Sequence, residues 1–116
     1  MADFHYEECG KNGDIVSVVL SGKLDAFACD YLLKCVEHQI EEGYRKLILD
    51  CDGLEFISSV GLGMLMRVHA RMKRRGGDVK LARVHGVVAS AISLVHFDRV
   101  FHLYPTVEEA VAAHGG

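Results

Sequence analysis

The chain has 116 residues, of which half are hydrophobic, and a formal net charge of −3 at pH 7. This length is close to that of one ordinary domain, and we expect a single domain over residues 1–116. The negative charge argues against nucleic acid as a partner. No apolar run reaches the roughly 20 residues of a membrane span, and acidic residues interrupt any leader-like pattern at the start. We therefore expect a cytoplasmic protein.

The first part of the chain predicts a β-hairpin. Residues 4–8 favour a short strand, and Asn-Gly-Asp at 12–14 is a turn signal. Residues 15–21 are rich in β-branched side chains and predict the second strand. The polar and glycine residues at 21–25 predict that this strand ends there.

A helix and a buried strand are predicted next. Apolar residues recur at helical spacing over 26–42. Asp25 is placed to cap this helix, and Gly43 to end it. The apolar run at 46–51 predicts a strand buried on both faces, as in a parallel sheet. Polar residues at 50–55 then predict a loop.

The rest of the chain alternates between helices and strands. The predicted elements are a helix at 59–75 ended by Gly76 and Gly77, a strand at 79–84, a helix at 88–95, a strand at 100–104, and a final helix opened by a capping-box match at Thr106. This order predicts an α/β fold, in which a mixed sheet of four or five strands carries about four helices, mostly on one face.

Two adjacent serines, Ser58 and Ser59, stand at the predicted start of the second helix. A serine there is ordinarily an N-cap, whose oxygen accepts hydrogen bonds from free backbone N–H groups. Gly61 and Gly63 follow in the first turn, and glycine in a helix costs about 0.5–1 kcal/mol relative to alanine. Because that cost occurs twice, we expect a group to approach the backbone closely at this point.

Three segments together resemble the STAS fold of bacterial anti-sigma factor antagonists. They are residues 20–25, 47–63 and 76–81. The middle segment contains Ser-Ser-Val-Gly-Leu at 58–62, which is similar to the D-S-[SA]-G-L phosphorylation loop of that family. The resemblance covers essentially the whole chain and places the family's acceptor serine at Ser59. Ser58 stands where the family usually has Asp, so the choice between the two serines stays open.

The resemblance implies a regulatory binding protein and not an enzyme. An unphosphorylated antagonist of this family binds an anti-sigma factor that is also a serine kinase with a GHKL-type ATP site, which frees the sigma factor. The kinase then phosphorylates the loop serine and breaks the complex, and a PP2C-type phosphatase resets it. No cofactor is implied for the antagonist itself.

The resemblance also implies a partner-binding surface around the acceptor serine. A phosphoserine adds about −1.5 to −2 charges at pH 7, and this charge must lose its water before an apolar surface can dock. The helix dipole favours the same phosphate by about 0.3–1 kcal/mol, so the modified protein should stay folded. The expected partner-binding residues are Ser21, Lys23, Asp25, Ile57, Ser58, Val60, Gly61, Leu62 and Met64.

Two features have a structural interpretation beside the functional one. Asp25 either caps the first helix or borders the partner surface. The cations between Arg67 and Arg75 either contact an acidic partner or a nucleotide phosphate, or form a solvated helix face. The sequence alone keeps both interpretations of each feature.

Other chemistry has little support in the sequence. The four cysteines show no C-x-x-C spacing and the seven histidines no H-x-x-x-H pair, so we expect reduced thiols and no metal. The two glycines after Ser59 lack the following G-K-[ST] of a phosphate-binding loop.

The alternative to a switch is a non-switching STAS subunit of a lipid-transport or signalling-scaffold complex. The sequence sets no oligomeric state.

Overall fold

A computed structural model describes residues 4–115, with the backbone alone for residues 8–12. Its five strands form one sheet in chain order: β1 (Phe4–Asn12), β2 (Ile15–Leu24), β3 (Lys46–Ile57), β4 (Asp78–Ala82) and β5 (His102–Tyr104). The helices of the described range are α1 (Cys29–Glu41), α2 (Ser59–Arg74), α3 (Gly86–Leu94) and α4 (Val107–Ala113), with a 3-10 turn at Phe97–Arg99. Strands β1 and β2 are antiparallel and the other pairs are parallel. The predicted α/β class, mixed sheet and helix number are confirmed.

The helices are divided unequally between the two faces of the sheet. Helices α1, α2 and α3 cover one face, where Leu47 and Leu49 are buried. Helix α4 covers the other face, where Ile48 packs with Ala110. Because successive strand residues point to opposite faces, β3 needs apolar side chains on both sides at its centre. The prediction that most helices share one face is confirmed.

Strand β3 extends to Ile57, so the loop predicted at 50–55 is part of the sheet. Two register shifts against β2 give β3 an extra residue at each. Burial therefore falls on Cys51, Leu54 and Ile57, at a spacing of three and not two. The loop prediction was wrong because these bulges remove the alternation that identifies a strand. Strand β2 ends within the predicted segment 21–25, at Leu24, three residues beyond the β-rich run at 15–21.

The connection into α1 begins with a turn. The Oδ1 of Asp25 accepts hydrogen bonds from the backbone N–H groups of Phe27 at 3.0 Å and Ala28 at 3.2 Å. The helix itself starts at Cys29, later than predicted, with Ala28 at its N-cap. Asp25 therefore caps the turn before the helix. Gly43 follows α1 with φ +95°, as expected for a residue that ends a helix.

The predicted signals at two other helix ends are confirmed. Gly76 follows α2 with φ +76°, and its N–H donates to the Lys73 carbonyl at 3.0 Å. Thr106 caps α4, where its Oγ1 accepts from the N–H of Glu109 at 3.0 Å. Among residues 4–115, each helix is too short or too polar to cross a bilayer.

Candidate functional site

Ser58 is the N-cap of α2, at the junction with β3. Its backbone is extended, with φ −88° and ψ 172°, and its Oγ accepts a hydrogen bond from the N–H of Gly61 at 3.0 Å. Its own N–H donates to the carbonyl of Leu24 at 3.0 Å. Ser58 is half-buried. Its hydroxyl therefore caps the start of α2, and its backbone N–H joins that start to the end of β2.

Ser59 is the first residue of α2 and has a different environment. It is exposed, and its hydroxyl makes no hydrogen bond with the described part of the chain. The positive end of the helix dipole lies at this position. An incoming reagent can therefore reach the Ser59 hydroxyl while the Ser58 cap stays intact.

The two glycines of the first turn have different surroundings. A Cβ at Gly61 would overlap the carbonyl oxygen of Leu24 and lie 2.9 Å from Cγ1 of Ile57. Gly61 therefore lets α2 rest directly on the backbone of β2. A Cβ at Gly63 would meet no atom within 4 Å. The expected close approach is thus made at Gly61 by this chain's own strand, whereas Gly63 faces open space.

Three residues expected on the partner surface lie in the interior. Ile57 and Met64 are only 6% and 5% exposed, and Gly61 is buried beneath Leu24. Leu62 is half-buried and packs against the core. The expectation of an exposed apolar surface at Ile57, Gly61 and Met64 was therefore wrong. Met64 shares the inward face of α2 with Leu65 and supports the surface from beneath.

The other expected residues are at the surface. Val60 is 56% exposed and Lys23 is exposed, while Ser21 and Asp25 are partly exposed. All except Val60 belong to the end of β2 or the turn that follows it. Strands β2 and β3 are parallel neighbours, so this end of β2 lies beside the start of α2.

Exposed aromatic side chains follow β2 and end β3, the two strands that lead into the site, and were missed in the sequence. Phe27, Phe56 and Tyr31 are 83%, 45% and 52% exposed. Phe56 lies opposite Lys23 in the sheet register. Tyr31 lies on α1 away from the buried stripe at 32, 35 and 36, so helical periodicity predicts its exposure, whereas Phe27 precedes the helix. Large exposed aromatics of this kind are enriched at protein interfaces.

Cys29 joins the start of α1 to the start of α2. Its thiol lies 3.2 Å from the carbonyl oxygen of Asp25 and 3.8 Å from that of Val60. Burial, together with the charges of Asp25 and Asp30, raises the pKa of this thiol. A thiol with a raised pKa is a poor nucleophile at neutral pH. Cys29 therefore positions the two helix starts and carries no sign of reactivity.

The other described cysteines are also structural. Cys35 and Cys51 are buried, as is Cys29. Burial raises the pKa of Cys51 to about 12, with a further contribution from Asp50. Cys9 lies outside the described side chains. Among the described residues, no cluster of His, Cys, Asp or Glu side chains has the arrangement of a metal site.

The basic run of α2 is partly neutralised by acidic neighbours. Arg71 donates to both carboxylate oxygens of Glu37, at 2.6 and 3.0 Å. The hydrogen bond from Arg71 is the main cause that lowers the pKa of Glu37. Lys73 lies 3.2 Å from a carboxylate oxygen of Asp78. Part of the run is therefore structural, through contacts with α1 and with the start of β4.

The STAS domain family model matches residues 8–110. The chain therefore belongs to the STAS domain family. A relative from Thermotoga maritima that carries the anti-sigma factor antagonist name is 29% identical over 72 residues, which are 62% of this chain. The match spans 64% of that relative's length.

Solved structures of antagonists share the same fold. An anti-sigma factor antagonist from Mycobacterium paratuberculosis superposes with a TM-score of 0.83 at 23% identity, covering 97% of this chain and 95% of that one. The phosphorylated form of the Bacillus protein SpoIIAA gives a TM-score of 0.72 at 18% identity, covering 94% and 98%. At these identities the likeness concerns the fold alone. The resemblance to the STAS fold of antagonists is confirmed.

Proposed function

We propose that the protein is a partner switch that binds an anti-sigma factor when Ser59 is unmodified and releases it when Ser59 is phosphorylated. The observation that supports this proposal is the division of roles between the two serines. Ser58 is committed as a helix cap at 3.0 Å from the N–H of Gly61, while its neighbour is exposed. The STAS family match and relatives named as anti-sigma factor antagonists support this class of partner.

The surface around Ser59 suits this role. Val60, the next residue, and Phe56, three residues before, are exposed apolar side chains, and Phe27 in the turn after β2 is more exposed than either. A partner that docks here removes water from Ser59. A phosphate of about −1.5 to −2 charges would then be desolvated at the interface. An unpaired interfacial charge costs about 2–5 kcal/mol, which is enough to separate the complex.

The fold itself is expected to survive the modification. Ser59 is the first residue of α2, and a negative charge there is favoured by the helix dipole by about 0.3–1 kcal/mol. The Ser58 cap bonds to Gly61 and does not use the Ser59 hydroxyl. Phosphorylation therefore changes the surface and leaves the packing of α2 on β2 in place.

The partners follow from the same proposal. The anti-sigma factor would carry the GHKL-type kinase activity that modifies Ser59, and a PP2C-type phosphatase would remove the phosphate. This chain would supply the substrate hydroxyl and no catalytic group. It would act in the cytoplasm, where sigma factors meet RNA polymerase.

Phosphosite mapping tests the proposal. The purified protein is incubated with ATP and the anti-sigma kinase of the same organism, and the site is located by mass spectrometry. We expect phosphate on Ser59, its loss in Ser59→Ala, and its retention in the matched control Ser58→Ala. Phosphate on Ser58, or phosphate that persists in Ser59→Ala, would contradict the assignment. Binding without any phosphorylation would favour a non-switching STAS subunit.

A further inference from the structure

A groove between α1 and α2 has an apolar floor and a charged rim. Its lining residues are Leu33, Glu37, Arg67, Ala70, Arg71 and Arg74, and it encloses about 300 Å³. Leu33 is half-buried, whereas Arg67 and Arg74 are exposed. We call this feature the basic groove. It has the mixed character of a protein-binding site, in which apolar area is bordered by a few charges.

Two of the three arginines in the basic groove are available to a partner. Arg71 is occupied by Glu37 through two hydrogen bonds of 2.6 and 3.0 Å. Arg67 and Arg74 form no ion pair with any residue that the structure describes. These two arginines therefore place uncompensated positive charge over the floor, in a protein whose net charge is −3.

The spacing of the free arginines indicates the shape of the partner. Arg67 and Arg74 are seven residues apart on α2, so they lie on the same helix face, about 10 Å apart along the axis. Two carboxylates at positions i and i+7 of another helix have the same separation. An apolar side chain between them would lie over Leu33 and Ala70, as in recognition of an amphipathic helix by a groove.

We propose that the basic groove binds an acidic amphipathic helix of a partner protein. Carboxylates of that helix pair with Arg67 and Arg74, and an apolar residue between them packs on the groove floor. The half-buried Leu33 in the floor favours a protein partner, whose apolar side chain can pack on it, over a nucleic acid or an anionic membrane. The proposal goes beyond the phosphorylation switch and does not depend on modification of Ser59.

Peptide binding tests the proposal without an anti-sigma factor. The probe is a fluorescein-labelled helical peptide of about two heptads, with Glu at i and i+7 and Leu between them. A Gln-for-Glu peptide is the control. Fluorescence anisotropy gives the affinity, and amide chemical shifts map the site. We expect the Glu peptide alone to bind, with shifts along α1 and α2 and an affinity that falls as salt rises.

Charge reversal identifies the arginines that carry the binding. We expect Arg67→Glu and Arg74→Glu each to weaken binding several-fold, and the double variant by at least about tenfold. The matched control is Arg99→Glu, an exposed cation that does not line the groove, and we expect no change. Arg67→Gln with Arg74→Gln repeats the test without reversed charge, and melting curves show that each variant is folded.

Several results would overturn the proposal. The proposal fails if the Glu peptide does not bind, or if the Gln peptide binds equally well. It also fails if the chemical shifts change outside α1 and α2, or if Arg99→Glu loses as much affinity as the groove variants. The proposal would also be overturned if duplex DNA or anionic phosphatidylglycerol vesicles bound more tightly than the peptide and used Arg67 and Arg74 to do so. A failed phosphorylation of Ser59 would leave these peptide results unaffected, so the two proposals fail separately.

Discussion

Gly61 lies against the carbonyl oxygen of Leu24, so the first turn of α2 rests directly on the end of β2. The same carbonyl accepts the N–H of Ser58 at 3.0 Å. One backbone group of β2 therefore fixes both the cap and the first turn of α2. This arrangement sets the position of Ser59, which follows the cap and precedes Gly61 by two residues.

The first prediction is that Gly61→Ala destabilises the protein. The added Cβ would overlap the Leu24 oxygen, and overpacking of this kind typically costs about 1–3 kcal/mol. The matched control is Gly63→Ala in the same turn, where a Cβ meets open space. That control should be unchanged or more stable by about 0.5–1 kcal/mol. Urea unfolding measures both, and equal stabilities would show that α2 does not rest on Leu24.

The second prediction separates the two serines by their effect on stability. Ser58→Ala removes the acceptor for the Gly61 N–H, and loss of an N-cap costs about 0.5–2 kcal/mol. Ser59→Ala removes an exposed hydroxyl and should change the free energy of unfolding by less than about 0.5 kcal/mol. Thermal unfolding of the two variants tests this. A larger loss for Ser59→Ala would make Ser59 the structural serine.

Much of the architecture follows from the sequence because its signals are local. The turn at 12–14, Gly43, Gly76 and Thr106 each act within a few residues, and each ends or begins an element where predicted. The second half of β3 could not be found in this way. Its bulges against β2 depend on a strand far away in the sequence, and they replace the usual alternation with burial every third residue.

The position of Ser58 and Ser59 at the start of α2 was predicted correctly, but the burial of the residues around them only in part. The resemblance in the loop located Ser58 and Ser59. Gly61 and Met64 were expected outside although they share a helical face with Val68, and this period of three to four residues was available in the sequence. The exposure of Phe27 depends on the turn capped by Asp25, and helix periodicity alone does not predict that turn.

The third prediction concerns pH and His114. This residue is buried, and its Nε2 lies 3.1 Å from the carbonyl oxygen of Leu47. Burial is the main cause that lowers the pKa of His114; Lys80 and Lys46 lower it further, while the Leu47 hydrogen bond and Asp78 oppose the shift.

Because the folded pKa of His114 is below the unfolded value, the unfolded chain binds more protons as the solution is acidified. The contribution of His114 to stability is complete above the unfolded pKa of about 6.5, and it is lost as pH falls through the folded pKa. We expect urea unfolding between about pH 7.5 and 5 to show that the free energy of unfolding falls more steeply for the native chain than for His114→Gln. Parallel pH profiles would contradict this prediction.

The fourth prediction assigns partner binding to the aromatic border of the site. Phe27 is 83% exposed, and aromatic anchors often contribute more than about 2 kcal/mol to an interface. We therefore expect Phe27→Ala to weaken binding of the anti-sigma factor at least about tenfold. Leu94→Ala is the matched control, since Leu94 is 81% exposed at the end of α3. Surface plasmon resonance compares them, and equal affinities would exclude Phe27 from the interface.

The most direct measurement of the switch is a calorimetric titration of the anti-sigma factor with two forms of this protein. One form is unmodified and the other carries phosphoserine introduced at position 59 during synthesis. We expect the phosphorylated form to bind at least about 30-fold more weakly, because an unpaired charge at the interface costs about 2–5 kcal/mol. Its melting temperature should be unchanged or higher. Equal affinities of the two forms, with both folded, would contradict phosphorylation of Ser59 as the switch.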